Sequence, residues 1–332
     1  MAGTDTSDPV LAIWGEVARS LPASWSAPIA EAVQRTGRVW RISLADGQVL
    51  ALKIGVEGQP TAKEASILRW LERSTCPTPH VLASGGVAPG WMATEWCGDA
   101  TLDDLAACVT GLGFGMGQEL AAALLSVEKA LAPLGDARKA REHASAALRA
   151  QFTPWLEEAP HAISWLLNRP LSEQETQAFT TVVNSALSCE PVTGSLDYHA
   201  RNVVTGTDGM HLVDFPTVGF DWSERRLAQY ALATGKGFAS ALDEGAVVSY
   251  AVSAASFRSI APQEVAHRAD AHDLLLIATA AVQLQIVDGG RAHPERAAAW
   301  HDVLPRRKQL RSLLTRRLSQ DGPAEAFRGQ LR

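Results

Sequence analysis

The chain has little cysteine: four residues in 332, namely Cys76, Cys97, Cys108 and Cys189, with no CxxC pair among them. That spacing offers neither a zinc knuckle nor a thioredoxin-type redox site. So few thiols in so long a chain read as a reduced, intracellular protein, and a cytoplasmic location is expected. The start, Met1-Ala2-Gly3-Thr4-Asp5, has no basic segment followed by an apolar core, so no signal peptide is expected. Long apolar runs are also missing. The most apolar stretch, Leu274 to Val287, is short and carries Gln283 and Gln285, which predicts a buried helix and no membrane partner. Positive charge is in deficit. Lys and Arg number 30 against 36 Asp and Glu, a net charge of −6 with a pI near 5.9, which argues against nucleic acid as a partner. The basic cluster Arg306, Arg307, Lys308, Arg311, Arg316 and Arg317 reads as a solvated helix face. No internal repeat and no low-complexity linker is seen. What is present, 46% apolar and 20% charged residues, suits a soluble globular protein of one large domain or two medium ones.

Asp8-Pro9 predicts a helix start, with Asp8 as cap, and a helix to about Leu21. Strands are expected before Gly37, over 38–44 and over 49–54, with Asp46-Gly47 as the hairpin turn between the last two. Thr61-Ala62-Lys63-Glu64 reads as a capping box opening a helix to about Arg73, with Ile67, Leu68 and Leu71 on its apolar face. Two more strands follow at 81–87 and 91–97, broken by Gly85-Gly86 and Pro89-Gly90. Beyond Gly98 the chain becomes Ala- and Leu-rich. Long helices are expected over 118–131 and 137–156, and again from Ser223 onward. The run Gly111 to Gly117 follows a helix, not a strand, and reads as a flexible connection. The end, with Gly322-Pro323, reads as frayed.

The helical half is interrupted by Gly194-Ser195-Leu196-Asp197-Tyr198-His199-Ala200-Arg201-Asn202, followed by His211-Leu212-Val213-Asp214-Phe215. Phosphoryl transfer from ATP needs a carboxylate beside the acceptor hydroxyl, and an Asn and a second Asp to hold magnesium. Asp197, Asn202 and Asp214 have the chemistry, order and spacing for those three tasks. Taken singly, each could be a turn or strand-end residue. Here the chain resembles the aminoglycoside phosphotransferase and choline kinase family, whose catalytic loop is written His-Gly-Asp-Leu-His-Pro-x-Asn. Asp197, His199 and Asn202 match it, and Ser195-Leu196 replace the His-Gly. The resemblance covers roughly 35–235.

It implies an α+β, two-lobed protein kinase-like fold: a small antiparallel sheet lobe over 1–97 that binds nucleotide, and a larger helical lobe over 98–332 that carries catalysis and the acceptor. It implies ATP and Mg2+ as cofactors. Lys53, alone an edge-strand lysine with its ammonium in water, would contact the α- and β-phosphates with Glu64 as its partner. Gly37 would allow close approach of the nucleotide's phosphates, and Glu95-Trp96-Cys97 would be the hinge, Glu95 and Cys97 offering backbone groups to the adenine. Asp197 would be the catalytic carboxylate, with Asn202 and Asp214 on the metal. His199 is expected to hydrogen-bond within its loop, and Arg201 to reach a phosphate or solvent. Asp221-Trp222 resembles a segment that closes this region, with Asp221 capping the next helix or bracing the loop. There the family's Asp-Leu-Ala is replaced by Arg226-Leu227-Ala228. The expected activity is a small-molecule kinase acting on a hydroxyl of an antibiotic, sugar, amino alcohol or related metabolite, as a monomer or homodimer. Two rivals stand beside it. One is a pseudokinase or binding module, supported by Ser195-Leu196 and Arg226. The other is a metal-dependent hydrolase using Asp197, His199, His211 and Asp214. Asp243, Glu244 and Asp273 are the acids available for an amine-bearing acceptor.

Overall fold

The computed structural model describes residues 9–108, 115–135, 138–234, 238–242, 244–291 and 303–319. The chain divides into two compact units, Met1–Gly98 with His211–Thr217, and Asp99–Met210 with Val218–Arg332. The second half therefore differs from the uninterrupted 98–332 lobe expected: the seven residues carrying Asp214 are part of the first unit. The Asp8 cap, Asp243, most of the Gly111–Gly117 run and Gly322-Pro323 lie outside the described residues.

In the first unit, helix α1 (Pro9–Ser20) precedes strands β1 (Ile29–Thr36), β2 (Val39–Leu44) and β3 (Val49–Ile54), helix α2 (Ala62–Glu72), and strands β4 (Val81–Gly85) and β5 (Trp91–Glu95). The strands form one sheet in the order β1-β2-β3-β5-β4, every pairing antiparallel. The β2–β3 hairpin turns at Asp46-Gly47. Gly47 takes φ +89°, a region that favours glycine, and Asp46 Oδ1 accepts the Gln48 N–H at 3.0 Å. Side chains alternate across a strand. Ile42, Leu44, Leu50 and Leu52 join Val10 and Val17 of α1 in one apolar cluster. Lys53, one residue out of that phase, points to the other face.

The capping box at Thr61 is not formed. Thr61 is the N-cap of α2, but its side chain makes no capping bond. Its N–H goes to the Pro89 carbonyl at 3.1 Å, and the Glu64 carboxylate that would have reached back is bound to Lys53.

The second unit begins with β6 (Ala100–Thr101), α3 (Leu102–Cys108), α4 (Met116–Leu131), α5 (Arg138–Leu167) and α6 (Glu173–Leu187). Strands β7 (Val192–Ser195), β8 (Val203–Gly206) and β9 (Gly209–Leu212) follow, β9 leading the chain back to the first unit. Then come β10 (Val218–Asp221), α7 (Ser223–Ala231), the short β11 (Leu232–Ala233) and β12 (Ala239–Ser240), α8 (Glu244–Arg258), α9 (Pro262–Asp288) and α10 (Arg307–Ser319). Helix α5 runs past its expected end near Leu156 despite Pro154 and Pro160 inside it. Each proline removes a backbone bond, but Phe152, Ala159, Ala162, Ile163 and Leu166 are buried in the helical core with α6 and α9, and that burial offsets the loss. Helix α6 opens on a complete capping box from Ser172 and Glu175. Helix α9 is long and apolar enough to cross a membrane. Here it is the central core helix, packed by α5, α6, α7 and α8.

Candidate active site

Two clusters carry the chemistry, one in each unit. In the first, the Lys53 ammonium donates to Glu64 Oε1 at 2.9 Å and Oε2 at 2.7 Å, and also to Asp214 Oδ1. Lys53 and Glu64 are 6% and 3% exposed, so all three ammonium protons have protein acceptors and few waters are needed. The Phe215 N–H donates to Glu64 Oε1 at 3.2 Å. Burial pushes the Glu64 carboxyl above its ordinary range, against the pull of Lys53, and Asp214 adds to the rise. Asp214 takes φ +64°, an uncommon conformation for a side-chain-bearing residue and a mark of functional segments. Its side chain is 31% exposed. One ammonium between two carboxylates leaves a net negative charge, and Asp214 is its accessible end.

The other residues expected at a nucleotide site also belong to this unit. Gly37 lies in the turn between β1 and β2, where a Cβ would meet nothing within 4 Å; neither packing nor a positive φ demands glycine there. Glu95 ends β5, and its N–H donates to the His80 carbonyl at 3.0 Å. Cys97 lies two residues on, with Sγ 3.9 Å from the Glu95 carbonyl. Between them, Trp96 is approached by the guanidinium groups of Arg35 and Arg41.

In the second unit, β7 delivers the loop that carries Asp197. Ser195 Oγ accepts the Asp197 N–H at 3.2 Å, so the serine that replaces the motif's histidine closes the turn. Leu196 lies over Gly219, where a Cβ would stand 2.8 Å from its Cδ1. Asn202 ends a 3-10 turn and donates Nδ2 to the Asp197 carbonyl at 3.0 Å, leaving its amide oxygen as a hard donor. The Asp197 carboxylate is 39% exposed, with His199 Nε2 at 3.5 Å from Oδ1. Arg201 pairs with Asp103 at 3.5 Å and is largely exposed. Asp221 braces the loop and does not cap α7, whose N-cap is Trp222. Asp221 Oδ2 accepts the buried Tyr198 hydroxyl and Arg225 Nη1.

The role missed at the sequence level is that of Arg226, read there as a departure from the family pattern and as support for a pseudokinase. It is fully buried and holds the loop by its main chain. Nε donates to the Ser195 carbonyl at 2.8 Å, and Nη2 to the carbonyls of Val192 at 3.1 Å and Gly219 at 3.0 Å. Its charge is met by Glu128 of α4 at 2.8 Å. Burial raises the Glu128 carboxyl, with Arg226 and Arg258 pulling it back. Ser223, Tyr250, Arg258 and Glu224 complete a buried polar network around that pair. One available signal was the strand glycine Gly194, where a Cβ would lie 2.6 Å from Arg226 Cζ.

Among the described residues, the ligand-type atoms close enough to share an ion belong to Cys189, Glu224 and His272. Arg258 already occupies Glu224 at 2.6 Å, and burial holds the Cys189 thiol protonated, pushed up to about 12. The hydrolase set shares no residue with this cluster.

No protein-family model matches the chain, and no curated protein matches it in sequence. Among solved structures it is similar to choline kinase from Cryptosporidium parvum Iowa II, with TM-score 0.53, 12% identity, and coverage of 93% of this chain and 97% of that one. A macrolide 2'-phosphotransferase from Brachybacterium faecium follows at TM-score 0.49 and 12% identity, over 89% of this chain and 98% of that one. A choline/ethanolamine kinase family protein from Mesorhizobium loti gives TM-score 0.48 and 14% identity, over 96% and 99%. The first of these likenesses establishes the two-lobed kinase-like fold; at such identities a shared fold does not carry an activity with it.

Proposed function

We propose that this kinase-like chain is an ATP-dependent phosphotransferase that moves the γ-phosphoryl group to a hydroxyl of a small molecule. The observation that carries the reading is Lys53, a buried ammonium held between Glu64 and an Asp214 that lies 161 residues away in sequence. A lone strand lysine would keep its head in water. A lysine buried between two acids is fixed in place, and Asp214, the exposed one of the two, can turn to a metal cation and free one ammonium proton for a phosphate oxygen. The donor set suits the hard cation that accompanies ATP, because a carboxylate and an amide oxygen are oxygen ligands of the kind magnesium takes.

Magnesium, when bound with ATP, would neutralise charge on the phosphates. Lys53 would hold the α- and β-phosphates, with Glu64 keeping Lys53 in place. Asp214 and Asn202 would be the metal ligands. Gly37 lets a backbone turn approach the phosphates, and the main chain of Glu95 and Cys97 meets the adenine. Asp197 orients the acceptor hydroxyl and takes its proton as the new O–P bond forms and the bond to the ADP leaving group breaks. The replaced His-Gly does not weaken this reading, since Ser195 closes the turn and Arg226 braces it.

The test is ADP formation with a library of hydroxyl acceptors, comparing wild type with Asp197→Asn. Losing a general base costs about 10²-fold or more in rate, so turnover should fall by that much while magnesium-ATP still binds. Wild-type turnover in the variant would remove Asp197 from the mechanism. No ADP with any acceptor, with nucleotide binding intact, would favour the binding-module reading.

A further inference from the structure

The second unit holds a cavity of about 290 Å³ beside the Asp197 loop, lined by residues of α5, α7 and α9. This is near the lower end for ligand sites, which run from about 300 to 1,000 Å³. His199 forms part of its wall, with Nε2 3.5 Å from Asp197 Oδ1, so a ligand here has its hydroxyl near the proposed base.

The wall is close to electrically neutral. No Asp or Glu lines it among the described residues. Its one permanent charge, Arg225, is met by Asp221 at 2.6 Å. His272 is buried, and that burial pushes its pKa down to about 4, so it is neutral at pH 7. A cationic group set against the α5, α7 and α9 walls, away from the Asp197 end, would leave water without gaining a counter-charge. An aromatic face offsets only part of the cost of burying a cation, and the Phe152 ring already carries the Arg225 guanidinium at 4.5 Å, which leaves Trp155. An anion fares no better, because Arg225 is already paired. The wall does offer neutral hydrogen-bonding groups, the amides of Gln151, Gln229 and Gln283 and the hydroxyl of Thr279, beside the rings of Phe152 and Trp155. Amides and hydroxyls both donate and accept, which matches alcohol groups, and the Trp155 ring suits the C–H face of a sugar-like ring.

We propose that the acceptor is an uncharged polyhydroxylated compound of sugar or glycoside type, and not an amine. This rests on the phosphotransferase reading for its chemistry, but the cavity's preference is measurable without turnover. Calorimetric titration of the full-length protein with myo-inositol, methyl β-D-glucoside and phenyl β-D-glucoside is set against choline, kanamycin and gluconate. At least one neutral probe should bind about 10-fold more tightly than any charged one. Gln283→Glu should reverse that order in favour of choline or kanamycin. Thr279→Asp, one helical turn away, serves the same end if the first variant misfolds by circular dichroism. Tighter binding of a charged probe by wild type, or no binding of any neutral one, would overturn the assignment. So would a folded carboxylate variant that gains no amine binding. Neutral probes that bind while no acceptor in the library yields ADP with magnesium-ATP would count against the kinase reading and leave the cavity's preference standing.

Discussion

Lys53 shows what a single side chain contributes here. An ammonium removed from water is costly unless its protons and charge are met, and Glu64 and Asp214 meet them. In the proposed mechanism Glu64 acts only through Lys53, so the two should behave as one unit. Lys53→Ala and Glu64→Ala should each impair kcat/KM, the lysine change the more, and the double variant should lose little beyond the worse single. A double-mutant cycle with folding checked by circular dichroism measures this, and additive losses would separate the pair. His272 gives a prediction in pH. Burial lowers its pKa from 6.5 to about 4, so the unfolded chain takes up the proton first. The fold loses stability as pH falls from about 6.5 toward 4, by about 3 kcal/mol at the lower end. Thermal unfolding of wild type and His272→Gln between neutral pH and pH 4 should show the wild type falling more steeply. Parallel curves would mean that His272 does not titrate differently in the two states.

At the level of elements, the active loop is held by a helix through an arginine. The β7–β10 pair sets Gly219 opposite Gly194, and Arg226 from α7 fills the space that a side chain at Gly194 would need. Arg226→Met should destabilise the fold by about 3–5 kcal/mol, because the buried Glu128 keeps only Arg258, at 3.8 Å, and three carbonyls lose their donor. Arg226→Lys keeps the charge but not the planar fork that reaches three carbonyls. It should fold, keep its KM for ATP, and lose about 10-fold or more in kcat, since the brace acts on the Asp197 loop and not on the nucleotide residues. Wild-type kcat in the lysine variant would reduce Arg226 to a structural arginine. Local patterns were readable where the code is local: the β2–β3 hairpin from Asp46-Gly47, and α2 from its apolar face. They misled where a distant partner intervened. The Thr61–Glu64 capping box fails because Lys53 takes the carboxylate. Helix α5 outruns Pro154 because core burial outweighs two lost backbone bonds.

Across the whole molecule, the chain returns to the first unit for seven residues after completing the Asp197 loop. That return sets Asp214 beside a lysine from the third strand. Asp214→Ala should abolish magnesium-dependent nucleotide binding, because a lone amide oxygen cannot replace a carboxylate on a hard cation. Titration of ATP with magnesium and with EDTA, alongside Asp197→Asn as a variant that retains binding, measures it. Unchanged affinity and metal dependence in Asp214→Ala would place the metal elsewhere.

The sequence by itself determined the kinase-like fold class, through strand alternation, the hairpin turn and the order and spacing of one motif. It also marked Lys53, Glu64, Asp197, Asn202 and Asp214 as chemically apt, because motif spacing and residue type are local properties. Only the tertiary structure decided which groups meet: Lys53 with Asp214 across 161 residues, Arg226 with Glu128 across 98, and the neutral wall of the cavity. Pairings of that range depend on how strands and helices pack, and no local pattern encodes them. An arginine on a helix reads as a surface charge until the fold closes around it.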